Sequence, residues 1–227
     1  MNLFDILGPV MVGPSSSHTA GAVRIGWMTQ KLLGEQPVEA KILMYGSFAA
    51  TGKGHGTDRG LVAGLLGMRP DDERIPDSFE IARKMGLSYS FGIANLTSAH
   101  PNSVVLEVKG KNGRTLEVQA CSLGGGRIMI NRLDGLDVNC SCEIPTLIVH
   151  NLDQPGHVAE VTSMLAHKSV NIANMSLYRD KRGGSAVMVV EMDQPLPKES
   201  LEWLEHLEGI VKVTYINVTE GEEDDVL

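Results

Sequence analysis

Pro145-Thr146-Leu147-Ile148-Val149-His150-Asn151-Leu152-Asp153-Gln154-Pro155-Gly156-His157 decides the fold of the C-terminal third of the chain. Its apolar centre, Leu147 to Val149, reads as a strand. Asp153-Gln154-Pro155-Gly156 reads as a turn, because these residue types preset or tolerate turn dihedrals. Val158, Val161 and Leu165 then recur at helical spacing. Val170 to Tyr178 reads as a strand, Gly183-Gly184 as a turn, and Ala186 to Met192 as a third strand. A second helix over Leu196 to Leu207 and a strand over Val211 to Val218 close the unit. The order β-α-β-β-α-β is a ferredoxin-like split unit. The expected division is therefore a domain over 1–143, a second over 144–220 and an acidic flexible tail over 221–227.

Upstream, Gly13-Pro14-Ser15-Ser16-Ser17-His18-Thr19-Ala20-Gly21 packs hydroxyls and one imidazole between small residues. Ala20, Val23, Trp27 and Leu32 follow near helical spacing. Ser16 or Ser17 is expected to cap a helix running to about Leu33 and stopped by Gly34. His18 and Thr19 then fall in the first turn, where unpaired backbone N–H groups suit a carboxylate or phosphate. The competing reading is a plain cap beside an ordinary surface histidine.

A strand over Glu39 to Ser47 leads into Gly46-Ser47-Phe48-Ala49-Ala50-Thr51-Gly52-Lys53-Gly54-His55-Gly56-Thr57-Asp58, read as a glycine-rich loop. It is no P-loop: five residues separate Gly46 from Gly52, and Gly54 stands where the magnesium-binding hydroxyl would be. No dinucleotide-binding glycine fingerprint is present either. His55, between two glycines, suits close ligand approach or simply a flexible polar loop. Thr57-Asp58 opens an apolar helix ending near Gly67, with Asp58 favouring the helix start or touching substrate.

After a polar linker over Arg69 to Pro76, Asp77 and Glu80 form a possible capping box for a helix ending at Gly86. A strand over Tyr89 to Asn95 precedes a third polar loop, Thr97 to Ser103, which presents His100 and Asn102. Val104, Leu106 and Val108, then Leu116 and Val118, alternate with polar residues around Lys111-Asn112-Gly113-Arg114, a hairpin pattern. Ser122-Leu123-Gly124-Gly125-Gly126-Arg127 resembles a bulge or a ligand-facing turn.

Composition excludes several classes. The formal net charge is −8, and no basic stripe suggests nucleic-acid binding. Hydrophobic content is 42% without a run long enough to span a bilayer, so no membrane role is expected. Met1-Asn2-Leu3-Phe4-Asp5 does not read as a signal peptide. Three cysteines give no disulfide framework and suggest a reducing cytoplasm. Cys140-Ser141-Cys142, with Cys121, could in principle serve a redox cluster or zinc. Without paired Cys-x2-Cys elements or a fourth ligand, small buried hydrophobes are the favoured reading. The acidic run Glu220 to Asp225 reads as a frayed end.

Two parts of the chain resemble one family. Residues 144–218 resemble an ACT domain, an amino-acid-sensing module, through Asn151 to His157, the helix Val158 to Leu165, and Asn171-Ile172. Residues 1–140 resemble the beta chain of the iron–sulfur-dependent bacterial L-serine dehydratases, or L-serine ammonia-lyases. The matching stretches are Gly8-Pro9, Gly13 to Gly21, Gly46 to Asp58, His100-Pro101-Asn102 and Ser122 to Gly126. The first domain also resembles the allosteric substrate-binding domain of some D-3-phosphoglycerate dehydrogenases, so the expected class is α/β (α+β).

The resemblance implies one half of a split enzyme acting on L-serine, with a [4Fe–4S] cluster on the partner alpha chain. No cluster ligand is carried onto Cys121, Cys140 or Cys142. His18 and His55 are then the candidate acid/base or substrate-orienting groups, since imidazole exchanges protons near neutral pH. Ser15, Ser16, Ser17 and Thr19 are expected to hold the serine carboxylate, with Lys53, Thr57, Asp58, His100 and Asn102 as further substrate contacts. The ACT-like module is expected to self-associate. A noncatalytic amino-acid-binding regulatory subunit is the alternative. Ala22 stands where single-chain relatives often have proline, which leaves the local turn open.

Overall fold

A computed structural model describes residues 10–217. The chain separates into two compact units that divide at Gly135/Leu136. Met1 to Asp5, Gly8-Pro9 and the acidic run from Glu220 lie outside the described residues.

In the first unit, a π-helical turn, Ser16–Ala20, runs directly into α1 (Gly21–Leu33). Ser15, not Ser16 or Ser17, is the cap: its backbone is extended and its Oγ accepts the His18 N–H at 3.1 Å. The extra residue of the π turn accounts for the shift, since it moves the helix start one step upstream. Gly34 ends α1 at φ 75°, as expected of a left-handed C-terminal glycine.

β1 (Pro37–Met44) follows, and the chain turns at Gly46, whose φ is 56°. The glycine-rich stretch is then helical rather than a loop: α2 (Gly46–His55) and α3 (Thr57–Leu65) meet at Gly56, which has φ 71°. Glycine's low helix propensity argues for a loop, but Phe48 and Gly52 are buried, and tertiary packing overrides the local preference. α4 (Ser78–Met85) ends at Gly86 as expected. The capping box is not formed, for Asp77 makes no side-chain cap bond and Glu80 pairs with Lys84 at 2.8 Å.

β2 (Ser88–Ile93) lies parallel to β1, and the helices α2 to α4 make the crossover such pairing requires. β3 (Ser103–Gly110), β4 (Thr115–Gly124) and β5 (Arg127–Leu133) continue antiparallel. The order within this unit is β2-β1-β3-β4-β5. α1 packs on α3 and against β4. The helix pair approaches closely because Gly26 and Gly64 carry no side chain. A Cβ on Gly64 would stand 2.1 Å from the Val23 carbonyl oxygen, and one on Gly26 2.3 Å from that of Leu61. Ile25, Met28, Leu32, Leu61, Leu65, Ile42, Leu106, Ile128 and Ile130 fill the core.

The second unit opens with β6 (Leu136–Cys140). It continues as β7 (Thr146–Leu152), α5 (His157–His167), β8 (Ile172–Arg179), β9 (Ser185–Met192), α6 (Lys198–Glu205) and β10 (Ile210–Ile216). The sheet order β10-β7-β9-β8 is wholly antiparallel, so the ferredoxin-like arrangement holds. Leu147, Val149, Val161, Leu165, Met188, Val190 and Leu204 form its core. Among the described residues, no helix is long and apolar enough to cross a membrane.

Candidate active site

His18 is the hub of a polar cluster on the first unit. The Ser15 cap fixes its backbone, and the π turn projects its ring toward α2. His18 Nδ1 lies 3.2 Å from Ser17 Oγ, and Nε2 lies 3.0 Å from Ser47 Oγ. Each imidazole nitrogen thus has a hydroxyl partner, and a hydroxyl can donate or accept as the tautomer requires. Ser15 Oγ is 3.4 Å from Ser17 Oγ, which extends the row of hydroxyls. The His55 ring stands 5.3 Å from the His18 ring and the buried Phe48 ring 5.4 Å, both edge-on.

Close backbone approaches hold these parts together. The buried Thr19 hydroxyl donates to the His55 carbonyl at 2.8 Å, tying the π turn to the end of α2. A Cβ on Gly13 would stand 2.6 Å from Thr19 Cγ2, and one on Gly21 2.1 Å from Ser122 Oγ. The glycine triplet is a turn in which Gly124, Gly125 and Gly126 all have positive φ. Gly126 N–H donates to the Ser16 carbonyl at 3.2 Å, so the triplet closes against the π turn. At the other side, Ser47 N–H donates to the Pro101 carbonyl at 2.8 Å, bringing the 97–103 loop to the start of α2.

Burial lowers the His18 pKa below its ordinary value; the nearby charge of His55 acts in the same direction, and hydrogen bonding at the Ser47 backbone opposes both. His18 is therefore neutral at neutral pH and able to accept a proton.

The structure gathers Ser15, Ser17, His18, Thr19 and His55 at one place. Ser16 contributes its backbone carbonyl there. Thr57 is fully buried, with no partner for its Oγ1 among the described residues, and a Cβ on Gly52 would lie 3.3 Å from its Cβ. Asp58 accepts from the Arg59 N–H at 2.8 Å, a helix-start role. His100 is exposed, and its Nδ1 accepts the Asn102 N–H at 3.1 Å within their own loop. Lys53 belongs to α2, and its side chain lies outside what is described.

Sequence reading missed Ser47, the partner of His18 Nε2. It sits in the quoted glycine-rich stretch, but a loop reading gives that stretch no face, whereas a helix aims Ser47 at one side.

The cysteines do not suit an iron–sulfur cluster. Among the described residues, no three or more His, Cys, Asp or Glu side chains gather as a metal-ligand set. Burial raises the Cys121 thiol pKa, which disfavours the thiolate that a cluster iron binds.

A serine–histidine cluster on an α/β domain, followed by a ferredoxin-like module, defines a two-domain α/β protein. Family models agree: "Serine dehydratase beta chain" matches residues 2–88 and "ACT domain" matches 145–207. The chain is 40% identical over 215 residues to the probable L-serine dehydratase, beta chain, of Bacillus subtilis (strain 168), covering 95% of this chain and 97% of that one. It is 37% identical over 216 residues to the L-serine dehydratase, beta chain, of Peptoniphilus asaccharolyticus, again covering 95% and 97%. This chain belongs to the L-serine dehydratase beta-chain family. A D-3-phosphoglycerate dehydrogenase of Bacillus subtilis (strain 168) is 24% identical over 198 residues, 87% of this chain and 37% of that enzyme. The expected family and fold relationships are both borne out.

Proposed function

We propose that this chain is the beta subunit of a two-chain L-serine ammonia-lyase that converts L-serine to pyruvate and ammonia in the cytoplasm. The observation that carries the proposal is the His18 ring, held between the Ser17 and Ser47 hydroxyls beside His55, in a chain of this family. The reaction removes the Cα proton and the β-hydroxyl of serine. The aminoacrylate so formed tautomerises and hydrolyses. A [4Fe–4S] cluster is assigned to an alpha chain, because the cysteines of this chain form no ligand set among the described residues.

The tasks left to this chain are binding, orientation and proton transfer. Neutral His18 accepts a proton at whichever ring nitrogen is not donating to its serine partner. His55 either relays that proton or orients the substrate. The Ser15 and Ser17 hydroxyls, at the start of the π turn, bind the substrate carboxylate. Thr19 acts by positioning, because its hydroxyl already donates to the His55 carbonyl. Thr57, Asp58, His100, Asn102 and Lys53 are assigned as weaker substrate contacts on the family resemblance alone. The division into a catalytic domain over 1–143 and an ACT module over 144–220 follows from the same reading.

The test uses the anaerobically reconstituted two-chain enzyme. His18→Asn or His55→Asn should lower kcat roughly 100-fold or more, with assembly, iron content and serine binding kept. Near-wild-type kcat in both variants would move the proton transfer to the alpha chain.

A further inference from the structure

Cys140 and Cys142 belong to the second unit and take no part in the chemistry proposed for the His18 cluster. Their Sγ atoms are 3.2 Å apart, and both side chains are fully buried. Carbon atoms packed as neighbours settle at about 3.5–4.0 Å, and sulfur is larger than carbon. A separation of 3.2 Å is therefore a directed S–H···S contact between a weak donor and a weak acceptor, closer than two small hydrophobes would choose.

The backbone produces this contact. Cys140 ends β6, where residues two apart share a face. Cys142 then adopts φ 52°, a left-handed conformation that a side chain larger than glycine's rarely takes. The residue between them is anchored, with Ser141 Oγ donating to Glu191 Oε1 on β9 at 3.0 Å. The turn thus holds both thiols on one side while the intervening side chain points to the other.

We infer that Cys140 and Cys142 form a dithiol–disulfide modification site, closed by a hydroperoxide and reopened by a thiol reductant. One thiolate attacks the outer oxygen of the hydroperoxide; the O–O bond breaks, the cysteine becomes a sulfenic acid, and the alcohol or water departs. The second thiol then attacks the sulfenic sulfur; the S–O bond breaks, water leaves, and the Sγ–Sγ bond forms. Two thiols are oxidised by two electrons, and one peroxide is reduced by two. Closure moves the sulfurs from 3.2 Å to about 2.05 Å, a small displacement. Access comes through Glu143 and Ile144, exposed residues that lie outside the strands between β6 and β7; such segments open locally at low cost. Only one residue is enclosed, so the bond adds little loop-closure stability and acts locally.

The full chain, purified under reductant, is treated with hydrogen peroxide, quenched in acid, unfolded and alkylated with iodoacetamide. The Cys140–Cys142 peptide should lose about two mass units and both alkylation sites. It should do so roughly tenfold faster than Cys121 is oxidised, since no second thiol stands beside Cys121 to trap its sulfenic acid as a disulfide. Dithiothreitol should restore both sites. In glutathione redox buffers the folded pair should hold its disulfide at least tenfold more strongly than the same pair in urea. Cys140→Ser and Cys142→Ser should each abolish the two-mass-unit loss. Both thiols alkylating normally after peroxide treatment, a product joined to another molecule, or equal disulfide stability folded and unfolded would each overturn the proposal. The wild-type mapping stands on its own if a serine variant fails to fold.

Discussion

His18 owes its chemistry to three neighbours that arrive from different parts of the chain. Ser17 adjoins it, Ser47 lies 29 residues away, and His55 ends the next helix. The importance of the ring was legible from its flanking serines. Its partnership with Ser47 was not, because that contact depends on α2 being a helix. Two pH predictions follow. His55→Asn removes the charge that helps burial lower the His18 pKa, so the His18 titration, read by NMR from the ring Cε1–H signal, should move upward. The stability sign is also fixed. A folded pKa below the ordinary value means that the unfolded chain binds the proton more readily. The His18 contribution to stability is therefore full above about pH 6.5 and is lost as pH falls through the lowered folded value. His18→Asn should flatten that part of the urea-midpoint-versus-pH curve.

Glycines decide the behaviour of the helices around the site, and they act in opposite ways. Gly64 lets α3 lie against α1, and a methyl group there would overlap the Val23 carbonyl and the Trp27 amide. Gly64→Ala should cost about 1–3 kcal/mol, the range for overpacking, visible as faster hydrogen exchange of α1 and α3 amides. Gly54 lies in α2 with open space around it. Gly54→Ala should stabilise α2 by about 0.5–1 kcal/mol, slowing exchange of its amides. Reading the Gly46–Asp58 stretch as a loop was a propensity argument. What it lacked was the knowledge that Phe48 is buried and that the left-handed glycines, Gly46 and Gly56, fall only at the two ends of α2. The β3–β4 hairpin, by contrast, was plain from alternation, because one face of each strand is buried and register is therefore strongly set.

At the scale of the whole chain, the second unit was the more legible. β7 is a central strand between β10 and β9, which is why its sequence is a continuous apolar run, and the other elements follow with clear turn signals. The first unit mixes parallel and antiparallel pairing, which no local pattern announces. β8 and β10 stand at the edges of the second sheet, and unpaired edges are templates for another strand. The chain without its alpha partner should therefore sediment as a dimer or larger species at several concentrations, despite a net charge of −8. A monomer at every concentration would contradict this. The same preparation should show neither stoichiometric iron nor appreciable pyruvate formation from L-serine.

The π turn has a consequence for how such a site can be gained or lost. A π turn is an α-helix carrying one surplus residue. Here the surplus falls within three identical serines, so losing any one codon of the three yields the same shorter protein. The helix beyond would keep its length and its core-facing stripe, while residues upstream would swing by about 100° around its axis. A lineage could pass between a plain capped helix and a serine–histidine cluster through a single in-frame codon event, without altering one buried residue of α1.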